Sequence, residues 1–133
     1  AGHQPLHGRF EVVKLSDGDF PCTGPMMKGF TQNLGKMAQL RVDGVHIIVS
    51  SVRTQPLDQS YFRRVGIEPG EMNILVLKSS NHYRADFGPL SSEIINVSSP
   101  GGLIDDPSRA KYVNLREGVR LCGLGPVQKK ASS

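Results

Sequence analysis

Three short apolar runs constrain the fold of this chain more than any other feature. They are HIIVSS (residues 46–51), NILVLKSS (73–80) and EIINVSS (93–99). Each is too short for a core helix and rich in aliphatic side chains, as expected of strands buried on both faces of a sheet. PLDQSYFRRVG separates the first two runs. In it Leu57, Tyr61, Phe62 and Val65 fall on one helical stripe, Asp58 is placed to cap it, and Gly66 closes it. NHYRADFGPL separates the second and third, a short helical turn begun by Asn81 and stopped before Gly88 and Pro89. Strand, helix, strand, short helix, strand is the order of a parallel sheet with right-handed crossovers.

The N-terminal third reads differently. GRFEVVKLSDGDF places apolar residues at Phe10 and Val12 and, after a shift, at Val13 and Leu15, then ends in the turn pair Asp17–Gly18. AQLRVDGVHIIVSS sets two strands around Asp43–Gly44, a strong hairpin signal. CTGPMMKGFTQNLGKM, interrupted by Gly and Pro, reads as an irregular loop. The expected fold is therefore α/β: a mixed sheet with a parallel β-α-β-α-β core and N-terminal antiparallel hairpins. Residues 1–122 are expected to form one domain and 123–133 a mobile tail.

Charge and composition exclude several function classes. The formal net charge is +4, but from Arg109 onward six basic side chains face one acid, Glu117. A nucleic-acid binder would carry its basic stripe on the folded body, so no nucleic-acid partner is expected. The apolar stretch from Val45 to Val49 already contains His46, and no membrane span is expected. The start at Ala1, without Met or an apolar leader, has the look of an excised or processed piece. Two cysteines, Cys22 and Cys122, make neither a disulfide framework nor a zinc knuckle. Free thiols in a reducing, cytoplasmic compartment are expected.

In a parallel sheet, ligands bind beyond the carboxyl ends of the strands. Arg53 and Gln55 follow the first run, and Lys78, Ser79, His82 and Arg84 close or follow the second. Lys78 with Arg53 and Arg84 could clamp a carboxylate or phosphate. Equally, Arg53 and Arg84 could pair with Asp58 and Asp86 as ion pairs that hold the fold. His82 has no second histidine at ligand spacing: His46 lies mid-strand, and Pro5 between His3 and His7 disfavours a helix there. No metal site is expected within this chain. Neither a nucleophile elbow nor a phosphate-binding glycine loop is present.

Three motifs in order carry a resemblance. The first stretch holds Asp17, Gly18, Phe20, Gly24, Pro25, Met26, Gly29 and Gly35; the second, Arg53, Gln55, Asp58 and Phe62, then Gly66, Ile67 and Pro69. The third is Lys78, Ser79, His82, Tyr83, Arg84 and Ala85, with SSPGG after the next run. Together they resemble the C-terminal domain of the microcystinase C family of metallopeptidases, from about Gly8 to Tyr112. The ending REGVRLCGLGP departs from the proline-rich end of that pattern. The resemblance implies a parent hydrolase whose zinc is held in an N-terminal metal-binding domain outside this chain, acting on a small peptide or amide. Arg53, Gln55, Lys78, Ser79, His82 and Arg84 would then form a substrate-side or interdomain wall. A non-catalytic module that captures a small anion is the alternative.

Overall fold

The computed structural model describes residues 4–98, 106–123, 125 and 127. Five strands are present among them: β1 (Glu11–Ser16), β2 (Asp19–Pro21), β3 (Thr31–Asn33), β4 (Met37–Val42) and β5 (Val45–Ser50). The two helices are single turns, α1 (Ser60–Arg63) and α2 (Arg84–Phe87). The chain packs as two compact units, Leu6–Ile95 and, separately, Ala1–Pro5 with Asn96–Ser133.

Asp43 and Gly44 decide the topology of the larger unit. Both have positive φ, 47° and 79°, as a two-residue turn matched to strand twist requires. The turn folds β5 back on β4 from Val42↔Val45 to Met37↔Ser50, and β1 takes the other edge of β4, also antiparallel. The sheet order is thus β1-β4-β5, and β2 pairs antiparallel with β3 in a second, two-stranded sheet. The register shift between Val12 and Lys14 is a bulge at Val13, where the apolar alternation of the sequence also shifts.

Among the described residues the expected parallel β-α-β-α-β core is replaced by antiparallel sheets, and the difference has a physical cause. The run at 46–51 is used up in the antiparallel hairpin, and only its residues Ile47 and Ile48 are half-buried. The runs at 73–80 and 93–98 form no strand: Ile74 and Val76 are 82% and 90% exposed, and Ile95 and Val97 are exposed as well. A strand needs a neighbour for its backbone groups, and among the described residues neither run has one. The third run's last residue and the Pro100–Gly102 turn lie outside the described residues. So does most of the expected tail, at 124, 126 and 128–133.

The core joins the two sheets to α1. Phe20, Cys22, Leu34, Met37, Tyr61, Val65 and Ile67 form it, with Met27, Ile48 and Phe62 packed around. Phe20 meets Tyr61 edge to face, with ring centroids 5.1 Å apart. Tyr61 and Val65 come from the helical stripe expected in the sequence, and Gly66, with φ 88°, ends that turn. Where β1 passes to β2, Gly18 crosses Gly35 so closely that a Cβ on Gly18 would lie 1.9 Å from the Gly35 carbonyl oxygen. The Gly18 carbonyl accepts from the Leu34 amide at 3.0 Å, closing the crossing.

The three-stranded sheet has two unlike faces. Met37, Gln39 and Ile48 turn towards the core. By register, the opposite face carries Leu15, Ala38 and Val49, then Val12, Leu40 and Ile47, then Val42 and Val45. All are apolar. Val12, Leu15, Val45 and Val49 are exposed.

In the smaller unit, a 3-10 turn runs over Pro107–Arg109, capped by Asp106, whose carboxylate accepts from the Ser108 amide at 2.9 Å. Arg120 bridges to Val127 and donates to the Gly125 carbonyl at 2.8 Å. Both cysteines are free, Cys22 buried and Cys122 exposed.

Candidate functional site

Asp58 opens α1 and is fully buried. One carboxylate oxygen accepts from the Ser60 amide at 2.8 Å, although the N-cap position of α1 is held by the next residue, Gln59. The other reaches across the unit to the Gly24 amide at 2.7 Å. Gly24 leaves room for this: a Cβ there would stand 2.5 Å from Asp86 Oδ2 and 3.0 Å from Asp58 Oδ2. Asp86, on α2, accepts from the Gln59 amide at 2.7 Å and from the Gln59 carboxamide at 3.0 Å. Gln59 also donates to the Asp86 carbonyl at 2.8 Å. Two carboxylates and one glycine thus fasten the 22–30 loop, α1 and α2 together. The Cys22 thiol lies beside Asp58, and burial pushes its pKa up, helped by the Asp58 charge and hydrogen bond.

That frame positions a cleft of about 250 Å³, lined by Met26, Thr54, Gln55, Leu57 and His82. At its rim the Gln55 Oε1 accepts from the Ser79 hydroxyl at 3.0 Å and lies 2.8 Å from His82 Nδ1. A carboxamide oxygen can only accept, so Nδ1 carries a proton, and in the neutral ring the lone pair is then on Nε2. The Gln55 amino group makes no hydrogen bond among the described residues. The rim therefore offers a donor pair on Gln55 and an acceptor on His82, beside the apolar Met26 and Leu57.

Of the six candidate residues, the structure brings together Gln55, Ser79 and His82. Arg53, Lys78 and Arg84 do not line the cleft. Arg53 and Lys78 are exposed, and the Arg84 guanidinium lies 5.3 Å from the ring centre of Tyr83. The acids expected as ion-pair partners are engaged otherwise, Asp58 by backbone amides and Asp86 by Gln59. Met26 and Leu57 escaped the sequence reading as site residues. Met26 belongs to the first motif of the resemblance but carries no polar group that marks a site, and Leu57 reads as part of a core stripe.

The described residues do not assemble a zinc centre. His82 Nδ1 lies 2.8 Å from Gln55 Oε1, and His46 Nδ1 lies 2.9 Å from the Gln39 carboxamide across β4 and β5. Among the described residues no three His, Cys, Asp or Glu side chains come together to hold a metal ion. No helix among them is long and apolar enough to cross a membrane.

Comparison with known proteins identifies the family. A family model described as "MlrC C-terminus" matches residues 1–114. Over 95 residues the chain is 33% identical to Microcystinase C of Sphingomonas sp, a stretch that is 71% of this chain and 18% of that protein. The chain therefore spans less than a fifth of the length of this curated relative. With most of its length matched in this way, the chain belongs to the MlrC C-terminus family.

Proposed function

We propose that this chain is a C-terminal domain of a metal-dependent peptide or amide hydrolase, supplying substrate-side contacts from the Gln55–His82 rim. The metal would be held in an N-terminal domain of the parent, outside this chain; among the described residues no group that could hold it comes together. The carrying observation is that Gln55 Oε1 holds both Ser79 Oγ and His82 Nδ1, which leaves Gln55 Nε2 to donate and, in the neutral ring, His82 Nε2 to accept. A substrate amide offers the complement, a carbonyl to accept and an N–H to donate. Met26 and Leu57 suit an aliphatic side chain next to that amide. The anion-binding alternative has less support, because Arg53, Lys78 and Arg84 stand outside the cleft lining.

The test uses a longer polypeptide that carries this domain. Chelator-sensitive amide hydrolysis is expected. Gln55→Ala should lower kcat/KM by about three- to tenfold, the worth of roughly one neutral hydrogen bond. Metal content should not change. Hydrolysis that survives chelation, or full activity in the variant, refutes the assignment.

A further inference from the structure

The outer face of the β1-β4-β5 sheet has no use in the cleft or the core. All eight of its residues are apolar, and Leu15 at 71% and Val45 at 58% are its most exposed. An antiparallel sheet with a solvated side ordinarily alternates apolar-in with polar-out. Here the pattern is reversed. The core-facing side includes the buried Gln39, and the outer side carries no polar group. Contiguous exposed apolar surface of this kind marks an interaction site.

The size of the face decides what covers it. Three six-residue strands, at about 3.3 Å per residue and about 4.8 Å apart, give a face on the order of 300 Å². A second copy stacked on it would bury roughly 600 Å² in all, about half the ~1,200 Å² at which stable interfaces begin. A free protein partner using this face alone meets the same shortfall. A segment of the same polypeptide does not, because a tether raises its effective concentration to about the millimolar range. The matched relative has room for such a segment, since the common stretch is 18% of its length.

We propose that this face is an intramolecular docking surface, covered by an apolar sheet or helix face from another part of the longer polypeptide. The proposal rests on the reading of this chain as one domain of a larger enzyme, and it names the surface through which that domain is seated.

Hydroxyl-radical footprinting of side chains tests it. Val12, Leu15, Val45 and Val49 should react quickly in the 133-residue chain and several-fold more slowly in a longer polypeptide that carries it. Phe20 and Val65, buried in the core, should be slow in both. Equal rates for the four in both proteins overturn the proposal, and so does protection already present in the shorter chain. The double variant Leu15→Lys, Val49→Lys gives a second readout. Its unfolding midpoint should match wild type in the shorter chain and drop in the longer polypeptide; a drop in neither overturns the proposal. A concentration-dependent dimer of the shorter chain that the double variant dissociates would make a second copy the occupant. Binding to phosphatidylcholine vesicles, lost in the same variant, would make it a lipid surface; either result overturns the proposal. Chelator-sensitive hydrolysis is read separately. Protection without hydrolysis keeps the docking face and rejects the function, and hydrolysis without protection does the reverse.

Discussion

The stretch from Gly18 to Ile67 and the run at 73–80 contain similar aliphatic side chains but meet opposite fates. In the first, the buried apolar residues sit on segments tied together by strand pairing and by long-range hydrogen bonds. Gly18 crosses Gly35, Gly24 admits two carboxylates, and Asp58 accepts the amides that α1 and the 22–30 loop leave open. In the second, Ile74 and Val76 stand in solvent with no strand beside them among the described residues. Apolar content supplies the tendency to bury. Long-range hydrogen bonding decides where burial is allowed.

The sharpest way to break this contrast is Asp58→Ala. It leaves the Gly24 and Ser60 amides as orphaned buried donors, each costing about 1–3 kcal/mol, so a total loss of about 3–5 kcal/mol is expected in urea unfolding. A loss under about 1 kcal/mol would mean that water replaces the carboxylate and that the site is not dry.

Gly18→Ala should follow closely. Its Cβ would run into a backbone oxygen, which yields less than a side chain, and its φ of 83° suits only glycine without strain. A cost of about 2–4 kcal/mol is expected from strain and overpacking combined. A stable variant with wild-type melting would show that the β1-to-β2 passage can move away from β3 and β4.

On the other side of the comparison, Val76→Thr should change stability by less than about 0.5 kcal/mol, as surface substitutions do. A large loss there would show the run to be packed in solution and would erase the contrast.

The smallest effect is set by pH. The Arg64 guanidinium, hydrogen-bonded to Asp17, holds that carboxyl below its ordinary 3.8, and Arg63 does the same for Glu68 below 4.5. Their contributions are complete above those ordinary values and are lost as pH falls through the lower folded values. Both pairs are solvent-exposed and screened, so stability should decline only gently below about pH 4.5. Arg63→Ala with Arg64→Ala should flatten that decline; an unchanged slope would assign it to other carboxylates.

What the sequence makes legible here is local. Asp43–Gly44 announces its turn because two adjacent residues must both adopt positive φ, and Gly66 announces the end of α1 for a similar reason. The bulge at Val13 is visible as a break in alternation. The crossing of Gly18 with Gly35 and the reach of Asp58 to Gly24 join residues far apart in sequence, and no local pattern encodes them. The parallel sheet failed as an expectation for the same reason: residues 73–80 and 93–98 have the composition of strands, but composition does not name a neighbour. Gln55, Ser79 and His82 were legible as a polar cluster. What gathers them is the frame of Asp58, Gln59 and Asp86, not the carboxyl edge of a parallel sheet.

The placement of Cys22 against Asp58 also matters to anyone who would label this protein. A thiol attacks an alkylating reagent as its thiolate, and burial beside a carboxylate keeps Cys22 protonated and out of reach. Cys122 is exposed. A maleimide dye or spin label added to the native, unmutated chain therefore has one attachment point, and a second equivalent taken up over time measures how often the core opens.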